Sequence, residues 1–185
     1  MSRLDEAFAK IDRRHFVVPE YKESAYADVP LPIGHGQTIS QPTTVRMMLE
    51  WLDVQAGFHI LDVGSGSGWT TALLAYLVGP RGHVYAVERI PELVEFGSDN
   101  CERLGIKNVT FSQAGMDYGL EDYAPYDRIL VSAAADKVPS DLLYQLKRGA
   151  KMVIPVHNDI LEITKQTSGK TVTKTHHGFV FVPLI

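Results

Sequence analysis

Apolar residues along this chain fall into two kinds of stretch. Short runs at Ile60-Leu61-Asp62-Val63, Val84-Tyr85-Ala86-Val87, Asn108 to Ser112, Ile129-Leu130-Val131 and Ala150 to Val156 are bounded by glycines, acids or small polar residues. Runs of that length, rich in β-branched and aromatic residues, predict buried strands. Between them lie longer stretches whose apolar residues recur with helical spacing: Thr43 to Leu52, Trp69 to Leu77, Pro91 to Leu104 and Pro139 to Lys147. Prolines open the last two of these, and Gly105 and Gly149 close them, which is the asymmetry expected of helix ends. Strands alternating with helices predict an α/β fold, its mostly parallel twisted sheet covered by helices on both faces. The final third breaks the alternation. Ile160 to Thr164, a Ser168-Gly169-Lys170 turn and Thr171 to Ile185 predict antiparallel strands.

Ahead of this pattern, Leu4, Phe8 and Ile11 share one face and predict a short amphipathic helix over residues 4–14, ending in Asp12-Arg13-Arg14. Prolines at 19, 30 and 32 exclude regular helix from the next stretch. Aromatic and aliphatic residues run through it, so an ordered, packed segment is expected.

Chemistry enters at Ile60 to Gly68, where a strand runs into Gly64-Ser65-Gly66-Ser67-Gly68 and then into a helix. Glycines at alternate positions allow a sharp turn and a close ligand approach, and a following helix points unpaired N–H groups at that ligand. This is a nucleotide-type cofactor site. A dinucleotide fingerprint needs G-x-G-x-x-G, whereas here the third glycine arrives one residue early and Trp69 stands in its place. That spacing disfavours a dinucleotide oxidoreductase. About twenty residues past the turn, Glu88 ends the second strand, where a carboxylate can accept bonds from both hydroxyls of a ribose.

Composition narrows the class. The chain has 185 residues, 45% of them hydrophobic, enough for one well-buried domain. A net charge of -4 argues against a nucleic-acid surface as the dominant feature. The single cysteine, Cys101, excludes an intramolecular disulfide, fits a reducing cytosol and reads as a small core residue. Met1 to Lys10 lacks a signal-length apolar core, and no stretch reaches membrane-span length. Cytoplasmic location without a membrane is therefore expected. No metal site is expected either: His35 has no partner at ligand spacing, and neighbours His176 and His177 face opposite sides of a strand.

A second informative stretch is Gln37-Thr38-Ile39-Ser40-Gln41-Pro42. From spacing alone, Ser40 reads as the N-cap of the helix that follows, with proline in the first turn. Further on, Gly115-Met116-Asp117-Tyr118-Gly119 and Ser132-Ala133-Ala134-Ala135 form the tips of the third and fourth strands, where ligands bind in open α/β sheets.

With these residues in view, the chain resembles the protein-L-isoaspartate (D-aspartate) O-methyltransferase family, nearly end to end. The carrying residues are Ala25 to Asp28; Gln37 to Pro42; Leu61 to Gly68, with Asp62 completing D-x-G-x-G-x-G; Ala124 to Asp127; Ala133 to Ala135 with Val138-Pro139; Met152 to Val156; and the closing Phe181-Val182-Pro183-Leu184. The glycine motif alone indicates only a methyltransferase; Gln-Thr-Ile-Ser-x-Pro and Phe-Val-Pro-Leu are narrower. The resemblance implies a Rossmann-like class I S-adenosylmethionine-dependent fold in one domain, residues 1–42 forming an N-terminal helix and a covering segment and residues 43–185 the core. It implies transfer of a methyl from S-adenosylmethionine to the free α-carboxylate of L-isoaspartyl residues in damaged proteins, with S-adenosyl-L-homocysteine as product. The ester then collapses to a succinimide and returns partly to aspartate. A monomer is expected.

By the same resemblance, Ser40 is the active-site serine, holding the substrate carboxylate by a hydrogen bond, with Ala133 on the substrate side. Gln37, Thr38 and Ile39 border the cofactor. Asp62, Gly64, Ser65, Gly66 and Gly68 hold its methionine end and sugar, Glu88 with neighbouring Arg89 binds the ribose, and Asp117 reaches the adenine. Where the family has Gly-Asp-Gly after the third strand this chain has Gly115 to Gly119, and His157 replaces a glycine after Pro155-Val156. A related methyltransferase on another carboxylate or a small molecule would keep the glycine turn without requiring Gln-Thr-Ile-Ser-x-Pro. A cofactor-binding module without catalysis would be favoured only by the altered third-strand loop. A serine hydrolase is disfavoured because no His–acid pair stands beside Ser40.

Overall fold

The predicted strands pair into one sheet in a computed structural model of the protein, which describes residues 1–184. In chain order the elements are α1 (Arg3–Lys10), β1 (Leu31–Gly34), β2 (Gln37–Ile39), α2 (Pro42–Leu52), β3 (His59–Val63), α3 (Trp69–Val78), β4 (His83–Glu88), α4 (Pro91–Arg103), β5 (Val109–Gln113), β6 (Tyr126–Val131), α5 (Ser140–Gln145), β7 (Leu146–Val156), β8 (Asp159–Lys165) and β9 (Thr171–His177). The sheet has seven strands in the order β5-β4-β3-β6-β7-β8-β9. Pairing is parallel from β5 through β7 and antiparallel between β7, β8 and β9. β1 and β2 form a separate antiparallel hairpin.

The two sheet faces are covered unequally. Residues from α1 to α4 (Ala7, Val45, Leu49, Leu73, Leu74, Leu93) pack with Ile60, Val84, Leu130 and Val153. The opposite face carries Leu61, Val63, Val87, Ile129, Val131, Met152 and Ile154, packed with Leu142 of α5 and with Leu146. Helices thus lie on both faces, but among the described residues the second has only one short helix and a 3-10 turn, Glu121–Tyr123, whose Tyr123 stacks on Tyr85 at 4.4 Å. Alternation of side chains along each strand sorts the two apolar sets.

Four local expectations change. The strand pattern expected over Thr171 to Ile185 ends at His177, the chain beyond it meeting Ala134 through a single parallel bridge at Pro183, and Ile185 lies outside the described residues. The first helix stops at Lys10 rather than running to Arg14; Asp12 caps a separate 3-10 turn, Arg13–Phe16, through a 2.9 Å bond to the Arg14 N–H. The proline-punctuated stretch after it holds a second 3-10 turn, Pro19–Ser24, since proline suits the first position of a helical turn. The helix expected through Lys147 ends at Gln145. Leu146, fully buried opposite Tyr126, already belongs to β7, and Gly149 with φ 81° absorbs the irregularity inside that strand.

Helix-end carbonyls find distant donors, as buried backbone groups must. Arg128 on β6 donates through Nε to the carbonyls of Leu52 (2.6 Å) and Asp53 (3.2 Å) at the end of α2. Asn108 donates to Ala75 and Gly79 at the end of α3, both at 3.0 Å. At the β7–β8 hairpin, His157 has φ 54°, a left-handed conformation that glycine adopts at least cost.

Candidate active site

Strand order places the site. The chain runs from β3 outward to β4 and β5, then returns to lay β6 on the other side of β3. The crevice therefore opens beyond the carboxyl ends of β3 and β6, where the winding reverses. Gly64, Gly66 and Gly68 have φ of 75°, 51° and 86°, a sequence of left-handed residues that turns the chain sharply off β3. The turn is pinned by Gly64 N–H donating to the Val87 carbonyl at 2.9 Å, and Ser132 N–H donates to the Val63 carbonyl at 2.9 Å.

Three adjoining cavities open here. The first lies between Gly64, Gly66, Val87, Glu88, Arg89, Ile90, Asp117 and the C-terminal Val182-Pro183-Leu184, a mostly apolar cleft with one carboxylate at its side, the kind of lining a small-molecule site uses. A narrower second cavity is walled by Ile39, Ser40, Gly64 to Ser67, Trp69 and Thr70. The third lies between Pro30, Ser40, Gln41, Thr44 and Val180 to Val182. Thr38 and Ser132 border all three.

The β1–β2 hairpin roofs the glycine turn. His35 (φ 53°) and Gly36 (φ 72°) make its two-residue turn, the left-handed pair such hairpins require. Ile33 reaches down to the turn, its Cδ1 within 3.1 Å of where a Cβ on Gly66 would stand. Gln37 and Thr38 line the first cavity from this hairpin, and Ile39 lines the second.

Glu88 faces the first cavity. Its Oε2 accepts from Gly66 N–H at 2.9 Å, and its Oε1 accepts from Arg89 N–H (2.7 Å) and Ile90 N–H (3.1 Å). One carboxylate thus ties the glycine turn to the end of β4. Asp117 lines the same cavity from the third-strand loop, which Gln145 braces by accepting from Leu120 N–H (2.8 Å) and donating to the Tyr118 carbonyl (2.9 Å). Ala133 lines the first cavity and does not reach the third.

Two expected contact residues lie behind the wall. Asp62 is fully buried; its Oδ2 accepts from Thr71 Oγ1 (2.6 Å) and Thr70 Oγ1 (3.1 Å), holding the start of α3. Burial pushes its pKa up to about 6, and the charge of Glu88 adds to the effect. Gly68 lines none of these three cavities either. A Cβ there would stand 2.8 Å from the Gly97 carbonyl oxygen, so this glycine permits close packing of α3 against α4.

Ser40 is not the helix cap. Gln41 occupies the cap position without a side-chain bond, and Asp28 Oδ1 takes the Thr43 N–H at 2.8 Å. Asp28 comes from fifteen residues upstream, so spacing near Pro42 carries no sign of it. The Ser40 hydroxyl is left to line the second and third cavities, with no intramolecular hydrogen bond among the described residues. Ser132, marked in the sequence only as part of a strand tip, and the 180–184 segment, marked only in the family resemblance, are site residues to which sequence reading gave no role. The run of small residues at the β6 tip was the available signal for the first. The second docks by Ala134 N–H to Val182 O and Leu184 N–H to Ala134 O, both 2.8 Å, a pairing no local pattern reveals.

The family model for protein-L-isoaspartate (D-aspartate) O-methyltransferases matches residues 1–185. The chain belongs to this family. Among its relatives, the protein-L-isoaspartate O-methyltransferase of Pyrococcus horikoshii is 46% identical over 99% of this chain and 84% of that protein. The one from Aeropyrum pernix is 50% identical over 99% and 72%. A solved protein-L-isoaspartate O-methyltransferase superposes on the whole chain with a TM-score of 0.92 at 29% identity, and this chain spans 61% of that one. A Plasmodium falciparum structure, described as a family member in complex with S-adenosyl-L-homocysteine, covers the whole chain with a TM-score of 0.87 at 27% identity, and 91% of its own length is matched. The fold is that of the class I S-adenosylmethionine-dependent methyltransferases.

Proposed function

We propose that the protein repairs damaged polypeptides by transferring a methyl group from S-adenosylmethionine to the free α-carboxylate of L-isoaspartyl residues; the ester then closes to a succinimide that reopens partly to aspartate. The observation that carries this reading is the meeting, at Thr38 and Ser132, of a cavity walled by the glycine turn and Glu88 with a hydroxyl-lined acceptor cavity.

The residues fit the cofactor. Ser65 Oγ is buried at the glycine turn beside the second cavity with no partner among the described residues, a free hydroxyl that would suit the amino-acid end of the cofactor. Gly64 and Gly66, without side chains, line the first cavity next to it, and Glu88 stands where ribose hydroxyls would bond. Gln37, Thr38, Arg89, Ile90 and Asp117 complete this wall. Asp62 and Gly68 act through the shape of the turn rather than by contact. S-adenosylmethionine supplies a methyl already activated by its sulfonium.

The acceptor side needs little chemistry of its own. An α-carboxylate has a pKa of about 3.5 and is ionised at neutral pH, so no base is needed to create the nucleophile. Neither the second nor the third cavity is lined by an acid, histidine, lysine or cysteine. Ser40, Thr38, Thr44 and Ser132 offer hydroxyl donors for one carboxylate oxygen while the other faces the methyl. Alignment of this kind contributes on the order of 7–11 kcal/mol in favourable cases.

We read the protein as a cytoplasmic monomer. The buried, unpaired Cys101, its thiol pushed up to about 12 by burial, fits a reducing compartment. No helix among the described residues is long and apolar enough to cross a membrane. The test is methyl transfer from labelled S-adenosylmethionine to matched peptides carrying isoaspartyl or aspartyl at one position. Base-labile label on the isoaspartyl peptide alone is expected. Label on neither, with S-adenosyl-L-homocysteine still bound, would move the acceptor elsewhere.

A further inference from the structure

Arg13 is 4% exposed, and its guanidinium forms no ion pair among the described residues. Its Nη1 donates to the carbonyls of Ala25 (2.8 Å) and Ala27 (3.2 Å); its Nη2 donates to those of Val29 (2.9 Å), Ser40 (3.0 Å) and, more weakly, Ile39 (3.4 Å). Its guanidinium carbon stands 5.3 Å from the ring centre of Trp69, whose Nε1 donates to the Ile11 carbonyl at 3.3 Å. Burial lowers its pKa to about 10, so it stays charged at neutral pH.

These bonds join two segments that local structure leaves apart. Residues 25–29 carry no regular element, and 39–40 is where β2 passes into α2. Asp28, lying between the held carbonyls of Ala27 and Val29, takes the Thr43 N–H at 2.8 Å. Ser40 is thereby fixed from both sides, through its own carbonyl by Arg13 and three residues on by Asp28. A planar fork of donors suits this task, and a lysine ammonium with three donors on one nitrogen cannot span the same carbonyls.

We propose that Arg13 is a positioning residue for the acceptor half of the reaction, holding the backbone that presents Ser40 to the substrate carboxylate. The inference rests on the proposed methyl transfer. It predicts a separation of readouts, because Arg13 touches the acceptor wall and not the Glu88 side of the first cavity.

Arg13→Lys and Arg13→Ala are compared with wild type for kcat and KM toward an isoaspartyl peptide, for affinity toward S-adenosyl-L-homocysteine, and for Tm. Misplacement of reacting groups by about 1 Å costs on the order of a hundredfold, so kcat of Arg13→Lys is expected to fall by about that factor while cofactor affinity stays within about threefold. Guanidinium at non-denaturing concentration is expected to restore part of the turnover of Arg13→Ala and none to Arg13→Lys, whose side chain still occupies the space. Arg13→Lys turnover within twofold of wild type would overturn the inference. A parallel loss of cofactor affinity would do so too, because it would make Arg13 a support for the whole N-terminal segment. Absence of label with the wild-type enzyme is a distinct result, which would sink the repair reading and this inference with it.

Discussion

Replacing Asp62 by Asn tests what the buried acid of the glycine motif costs and supplies. The carboxylate is fully buried, two hydroxyls bond its Oδ2, and its Oδ1 has no partner among the described residues. Burial raises its pKa from 3.8 in the unfolded chain to about 6. Folding therefore favours the protonated form. The stability contributed is complete below about pH 4 and is lost as pH rises through about 6. The gap between 3.8 and about 6 is worth about 3 kcal/mol. Asn keeps a carbonyl oxygen for Thr70 and Thr71 but does not titrate; leaving its amide unpaired costs about 1–3 kcal/mol at every pH. The unfolding free energy of Asp62→Asn relative to wild type should thus rise by about 3 kcal/mol between pH 4 and pH 7.5. At about 2–4 °C per kcal/mol for a chain of this size, the relative Tm should swing by about 6–12 °C. Urea unfolding followed by tryptophan fluorescence at several pH values gives the difference, in which the other carboxylates cancel. A difference constant to within about 0.5 kcal/mol would refute the reasoning, and a swing in the opposite direction would show that folding favours the charged form.

Three further predictions concern the turn and its two neighbours. Gly68→Ala forces a Cβ against the Gly97 backbone at a left-handed φ, so it should cost about 2–4 kcal/mol; a wild-type Tm would show that α3 and α4 are less closely packed. Glu88→Ala should weaken S-adenosyl-L-homocysteine binding by about tenfold to a hundredfold, the worth of bonds to a charged group, and calorimetry giving an unchanged Kd would remove Glu88 from the ribose. Ser40→Ala should cut turnover strongly with cofactor affinity within a few-fold and Tm unchanged, because the hydroxyl caps no helix. A Tm drop of several degrees would return Ser40 to capping, a role worth about 1 kcal/mol.

What the sequence determined by itself was local. Runs such as Ile60 to Val63 and Val84 to Val87 are strands because both faces of a central parallel strand are buried, and that burial shows as an unbroken apolar run. The glycine spacing declared a sharp left-handed turn because φ above zero excludes other residues at little cost only to glycine. The end of α1 and the Gln145–Leu146 boundary were misplaced because periodicity does not register where a chain changes partner. What the tertiary structure alone decided was long-range. Asp28 replaced Ser40 as the cap of α2, Arg13 gathered carbonyls from up to 27 positions away, and the 180–184 segment closed the acceptor cavity against Ala134. Residues 37–40 marked themselves as important in the sequence. That they face a cleft depended on a charge and a carboxylate whose partners are carbonyls and amides, groups every residue carries and no sequence pattern distinguishes.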